Sequence, residues 1–326
     1  HPPRACALLR LDTLHAEFAD ALEPEATRDV ANLWNGYGDL TANTDVQGHG
    51  THCAGTVGGI TVGVAPGASI YGVKASVLFF SCSYPQWVGL QWAFGVKAVR
   101  PRPQVLNDDG SGFTSVIVGG IDFVVEWLEA ARTVSPDASA VASLSLGGGC
   151  YSSGCAGDAM IAAVDAAAAA GVAVTVAAGN DDYDACWSTP AASTRALTIG
   201  ATDSSDNRAY FSNYGTCVDL SAPGVGITSA VTGSTSSYVS WSGTSMATPH
   251  VAGALAQELA LGGDGVGDGS DAIAEGARAR LLARAAVSAA EGVTIGDVMG
   301  SPDLLLRVDT GEDESAPPSA TPSPTT

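Results

Sequence analysis

Lysine is nearly absent from this chain, with Lys74 and Lys97 the only two in 326 residues. Basic residues total 14 against 34 acidic ones, for a net charge of −20. A phosphate backbone or an anionic membrane surface would be repelled rather than neutralised, so nucleic-acid and acidic-lipid partners are disfavoured. Long apolar runs are missing too, since Gly, Pro or a charge interrupts each one well before the ~20 residues of a membrane helix. With 46% hydrophobic residues the chain can still bury the core of a large soluble domain, and no membrane association is expected. The opening HPPRACALLRLD has neither an initiator Met nor a basic-then-apolar leader, so an export signal and any pro-segment are expected to lie outside this sequence. Seven Cys are too few to build a disulfide miniprotein, and their company along the chain has to sort them.

Apolar β-like runs are present at 68–74 (ASIYGVK), 141–146 (VASLSL), 171–179 (GVAVTVAAG) and 196–202 (ALTIGAT), with helical patterns near 115–131, 156–170, 245–261 and 271–289. Strands separated by helices imply crossover connections. The predicted fold class is therefore α/β, a doubly wound, mainly parallel sheet flanked by helices. Ligands of such sheets sit beyond the carboxyl ends of the strands. Residues 1–310 read as one domain, and 311–326 (GEDESAPPSATPSPTT) as a disordered Pro/Ser/Thr-rich linker or tail.

Three motifs carry chemistry. In SGTSMATPHVAGALAQELAL, a small-residue turn delivers Ser245 to the first turn of an apolar helix, whose unpaired N–H groups favour a developing oxyanion. Pro249 is tolerated there if it lies in the opening turn, and Ser245 read alone is equally a helix cap. In QGHGTHCAGTVGG (47–59), His49 sits between glycines, suited to a base near neutral pH. His49 and His52 as metal ligands would lack a third partner of suitable spacing other than Cys53, and His52 is expected to pack beneath His49. In VTVAAGND, a buried strand ends in small residues and Asn180, whose amide can donate to an oxyanion; alone it would be a turn residue.

GHGTHCAGT, SLSLGGG, VAAGN, FSNYG, APG and SGTSMATPHVAG together resemble the subtilisin-like serine peptidases, the proteinase K branch in particular. The resemblance implies a secreted serine endopeptidase acting on proteins or peptides. In it Ser245 is the nucleophile, His49 the base, and Asn180 with the Ser245 N–H the oxyanion donors. Asp12 after ACALLRL is assigned as the carboxylate that orients His49. Asp45 reads as a loop residue. The resemblance also places an extended substrate between Gly110-Ser111-Gly112 and Ser145-Leu146-Gly147. Ala177-Ala178-Gly179 then line an open apolar pocket with broad preference for aromatic or aliphatic side chains. An inhibitory pro-segment and a monomeric state are expected with it. No G-x-S-x-G elbow surrounds Ser245, which separates the chain from lipases and esterases. A catalytically impaired peptide-binding relative is the alternative.

The same resemblance pairs Cys186 with Cys217 and leaves Cys53 buried and unpaired. Cys150 and Cys155 are placed to close a small loop; Cys6 and Cys82 stay unassigned. It also implies a structural calcium ion on Asp219 with the backbone carbonyls of Arg195 and Leu197. Relatives run directly from Val-Lys into Val-Leu-Asn-Asp, whereas here 75–104 separates Lys74 from Val105. This segment reads as retained untranslated sequence or as a hydrophobic partner-binding loop.

Overall fold

The computed structural model describes residues 4–7, 15–18, 30–35, 45, 48–74, 114–150, 154–261, 270–290, 295 and 298–306. Asp12, Gly110, Ser111, Gly112, Cys82 and the segments 75–104 and 311–326 lie outside the described residues.

Seven parallel strands form the central sheet: β1 (Arg4–Ala7), β2 (Val30–Asn35), β3 (Ser69–Lys74), β4 (Ala140–Leu144), β6 (Val172–Ala177), β8 (Leu197–Thr202) and β9 (Leu220–Pro223), in the order β2-β3-β1-β4-β6-β8-β9. Short β5 (Gly148–Gly149) pairs with β7 (Ser188–Thr189), and β10 (Ile227–Ala230) with β11 (Tyr238–Trp241), both antiparallel. The helices are α1 (His49–Gly58), α2 (Thr114–Val134), α3 (Ala159–Ala169), α4 (Thr244–Leu261) and α5 (Ser270–Ala290). The expected doubly wound parallel sheet is therefore observed. Strand order reverses between β1 and β4, which makes their carboxyl ends a topological switch point.

Burial explains the sequence pattern. All residues of β4, β6 and β8 are buried, because helices cover both faces of a parallel sheet, and so these strands read as continuous apolar runs. On one face α4 packs against β4, β6, β8 and β9 and also touches α1 and α5. Its side chains Val251, Leu255 and Leu259 join Leu197, Ile199 and Leu220 in the larger core. On the other, Ile121, Val124 and Leu128 of α2 meet Val164 of α3 and Val172, Val174 and Val176 of β6. The Ala-rich α3 is a strong helix former, started by Asp158, whose carboxylate accepts from the Met160 and Ile161 amides at 2.9 and 3.1 Å. The fold thus leaves short loops, 145–147 after β4 and 178–181 after β6, at the carboxyl end of the sheet beside the start of α4.

Candidate active site

Ser245 is the second residue of α4, so its N–H has no acceptor within the helix. Its carbonyl would ordinarily receive the amide hydrogen of residue 249, which is Pro. Because α4 begins at Thr244, Pro249 lies beyond the opening turn, contrary to the sequence expectation, and it removes a real helical hydrogen bond. Two side chains supply the loss: Ser145 Oγ donates to the Ser245 carbonyl at 2.8 Å and the Cys53 thiol at 3.4 Å. The Ser245 hydroxyl is half-buried and lies 3.5 Å from the Ser145 carbonyl. Ser145 therefore grips the serine backbone and stands beside its side chain.

Asn180 follows β6 and is exposed. Its Oδ1 accepts from the Thr244 amide at 2.8 Å and the Thr244 hydroxyl at 3.0 Å, which leaves the Nδ2 side of the amide as donor. A methyl group built on Gly243 would lie 3.7 Å from the Ser245 nitrogen and 3.8 Å from Asn180 Nδ2. The two nitrogens therefore flank one small space, which glycine keeps open. Gly179 has φ +108°, and any side chain on it would collide with the Asn213 amide. Asn213, 1% exposed, accepts from the Asp181 and Tyr183 amides at 3.0 and 3.1 Å and donates to the Ala178 carbonyl at 2.9 Å. It holds the whole turn that presents Asn180. The FSNYG motif carried Asn213 only as part of a resemblance; an Asn between aromatics was the available signal.

His49 opens α1, and Gly48 before it is left-handed with no side chain to cap the helix. Asp45 supplies that cap instead: its carboxylate accepts from the Thr51 amide and hydroxyl, both at 2.9 Å, and it is 8% exposed. Asp45 is a loop residue, as the sequence reading has it, and its side chain adds the cap. The His49 ring lies at 22° to Trp241 with centroids 6.4 Å apart; His52 stacks on the same indole at 4.9 Å. His52 is fully buried beneath, its Nε2 at 3.0 and 3.2 Å from the carbonyls of Ile227 and Val239, which ties the β10–β11 hairpin to α1. Among the described residues His49 Nδ1 is buried without a hydrogen-bond partner. Burial pushes the imidazole down to about 4, opposed by the Asp45 charge and reinforced by His52. It is thus a neutral acceptor at pH 7.

Cys53 lies one helical turn after His49 on the same face of α1 and touches the Ser245 carbonyl, so α1 brings the His49 edge to the start of α4. Among the described residues the His49 ring and the Ser245 hydroxyl make no hydrogen bond to one another. Burial raises the Cys53 thiol to about 12, which leaves it unreactive at neutral pH. The structure thus brings together Asn180, Ser145 and Ser245, with His49 one turn before Cys53 on α1. Ala177 and Ala178 are buried behind Gly179, while Leu146 and Gly147 reach the surface.

Disulfides join Cys186 to Cys217 and Cys150 to Cys155. Of the expected calcium ligands Asp219, Arg195 and Leu197, the Asp219 carboxylate is engaged by other groups. Asp219 Oδ1 pairs with Arg278 of α5 at 3.3 Å and Oδ2 accepts from the Thr198 amide at 2.7 Å, so both oxygens are already engaged by positive or donor groups. Burial raises the Asp219 carboxyl, and the Thr198 amide and Arg278 pull it back. Groups of three or more His, Cys, Asp or Glu able to hold a metal are absent among the described residues. None of the described helices is long and apolar enough to cross a membrane.

The Subtilisin-like protease 2 of Pseudogymnoascus destructans is 43% identical over 221 residues, 68% of this chain and 44% of that protein. The Extracellular serine proteinase of a Thermus species is 43% identical over 233 residues, 71% of this chain and 46% of its own length. The chain thus spans less than half of these relatives. A crystal structure of a cold adapted subtilisin-like serine proteinase superposes with a TM-score of 0.65 at 33% identity, covering 93% of this chain and 87% of the other. The family described as "Subtilase family" matches residues 10–269, and the chain belongs to it.

Proposed function

We propose that this chain is a serine endopeptidase in which Ser245 attacks the scissile carbonyl. His49, neutral at pH 7, takes the hydroxyl proton and passes it to the leaving amine. Asp12 orients the ring and stabilises the imidazolium. Asn180 Nδ2 and the Ser245 N–H receive the oxyanion. The observation that carries this reading is that both nitrogens flank the space beside Gly243, with the Asn180 amide oriented by Thr244. Preorganised donors of that kind stabilise charge as it develops and need no rearrangement during reaction. In the resting state the Ser245 hydroxyl rests near the Ser145 carbonyl, and bound substrate would turn it toward His49, since such contacts tighten in the Michaelis complex.

Substrate would lie extended along Ser145-Leu146-Gly147 and Gly110-Ser111-Gly112 as an added strand. The side chain before the scissile bond enters the small-residue pocket of Ala177, Ala178 and Gly179, favouring apolar and aromatic groups. Two disulfides among the described residues suit export to an oxidising compartment, and one relative is named extracellular. An inhibitory pro-segment and a monomeric mature enzyme complete the proposal. A fluorophosphonate probe should label the parent at Ser245 and leave Ser245→Ala unlabelled. Casein hydrolysis should fall on the order of 10⁶-fold in that variant, the scale measured for the homologous change in subtilisin, with thermal stability retained. Hydrolysis by Ser245→Ala at the parental rate would overturn the assignment, and an unlabelled parent would favour a binding groove without catalysis.

A further inference from the structure

Structural calcium is common among subtilases, yet the neighbourhood of Asp219 is built around a guanidinium. We infer that Arg278 does at this place the work of a metal ion, neutralising Asp219 and fastening α5 to the β8–β9 edge, so that Asp219 binds no resident cation.

Asp219 immediately precedes β9, and its carboxylate bridges to β8 through the Thr198 amide at 2.7 Å. The Asp219 amide in turn donates to the Thr198 carbonyl at 2.9 Å. The remaining oxygen faces Arg278 at 3.3 Å, and the two side chains are 22% and 26% exposed. A calcium ion requires six to eight oxygens at roughly 2.3–2.6 Å. Seated on that oxygen, it would stand no more than about 6 Å from the Arg278 nitrogen, facing a positive charge across a partly buried space. Arg195, expected to lend only a carbonyl, is a second arginine lining the adjoining cavity, where Glu275 is the sole carboxylate among the described lining residues. Glu275 is itself within 3.8 Å of Arg278. The described charges here are two arginines and two carboxylates, which balance without a metal. This inference concerns stability and stands apart from the proposed chemistry at Ser245.

The test uses thermal unfolding of the full chain in the Ser245→Ala background, which removes self-digestion, in EDTA and in millimolar calcium. Comparing the parent with Asp219→Asn subtracts any calcium bound elsewhere. The calcium-induced rise in Tm should be the same in both. Arg278→Gln should lower Tm by about 2–6 °C in EDTA, and this loss should shrink when Asp219 is already Asn. A calcium-induced rise that disappears in Asp219→Asn would overturn the inference, as would Arg278→Gln and Asp219→Asn losses that simply add.

Discussion

The two ends of the central sheet are held by different physics. At the carboxyl end, Ser145, Cys53, Thr244, Asn180 and Asn213 connect through neutral hydrogen bonds, with one ion pair beside them, Arg208 to Asp182 at 2.8 Å. At the amino end, arginines dominate. Arg132 donates to the carbonyls of Ala138, Ala170 and Gly171; Arg278 pairs with Asp219; and the 3% exposed Glu258 of α4 binds Arg280 at 2.9 Å and Arg284 at 3.1 Å. Directional neutral bonds fix atoms without adding a field, so the ionisation of His49 remains open to control by its own carboxylate neighbours. Ion pairs fasten helices but would perturb any base placed among them. One end is suited to proton transfer and the other to stability.

This contrast can be broken or sharpened experimentally. After Ser245→Ala, the greatest loss is expected at Asp12: Asp12→Asn should cut kcat about 10⁴-fold. Burial holds His49 at about 4 with Asp45 as the opposing charge among the described groups. A second carboxylate at Nδ1 would favour the imidazolium, so the acid limb of kcat/KM in the full chain should sit above pH 4 and move down in Asp12→Asn. A limb unmoved by that change would remove Asp12 from the role. The stability sign follows from the same depression. Protonation of His49 favours the unfolded chain, so its contribution is complete above about pH 6.5 and is lost as pH falls toward 4. His52 and His250, both lowered by burial, act in the same direction.

Next in size is Asn180→Ala, which should lower kcat by about 10²–10³-fold with little change in KM, since the amide acts on the transition state. A rise in KM with kcat unchanged would point to a ground-state contact instead. Smallest is Glu258→Ala at the opposite end of the sheet. It removes the buried carboxylate that Arg280 and Arg284 share and should cost about 2–3 kcal/mol, roughly 5–10 °C in Tm, while kcat/KM of the folded enzyme stays unchanged. A comparable loss of activity per folded molecule would show that the two ends are coupled.

Much of the fold was legible. Residues 141–146, 171–179 and 196–202 announced β4, β6 and β8, because strands covered on both faces must be apolar throughout. The strands stop earlier than the runs do, at Leu144 and Ala177, and the residues beyond them, Ser145 and Asn180, are those that turn toward α4. The β10–β11 hairpin was not anticipated. Its strands are four residues each: β10 ends in two buried residues and β11 alternates exposed with half-buried ones, too short a pattern to stand out.

The parallel α/β sheet and the candidacy of His49, Asn180 and Ser245 were readable along the chain, since strand burial, helix starts and motif chemistry are local properties. It took the folded chain to show that Ser145 and Cys53 serve the carbonyl freed by Pro249, that Asn213 holds the Asn180 turn, and that Arg278 pairs with Asp219. Those pairs lie 59 to 192 residues apart, or 33 for Asn213 and Asn180. Packing brings them into contact, and no local pattern encodes which distant donor will reach a given buried acceptor.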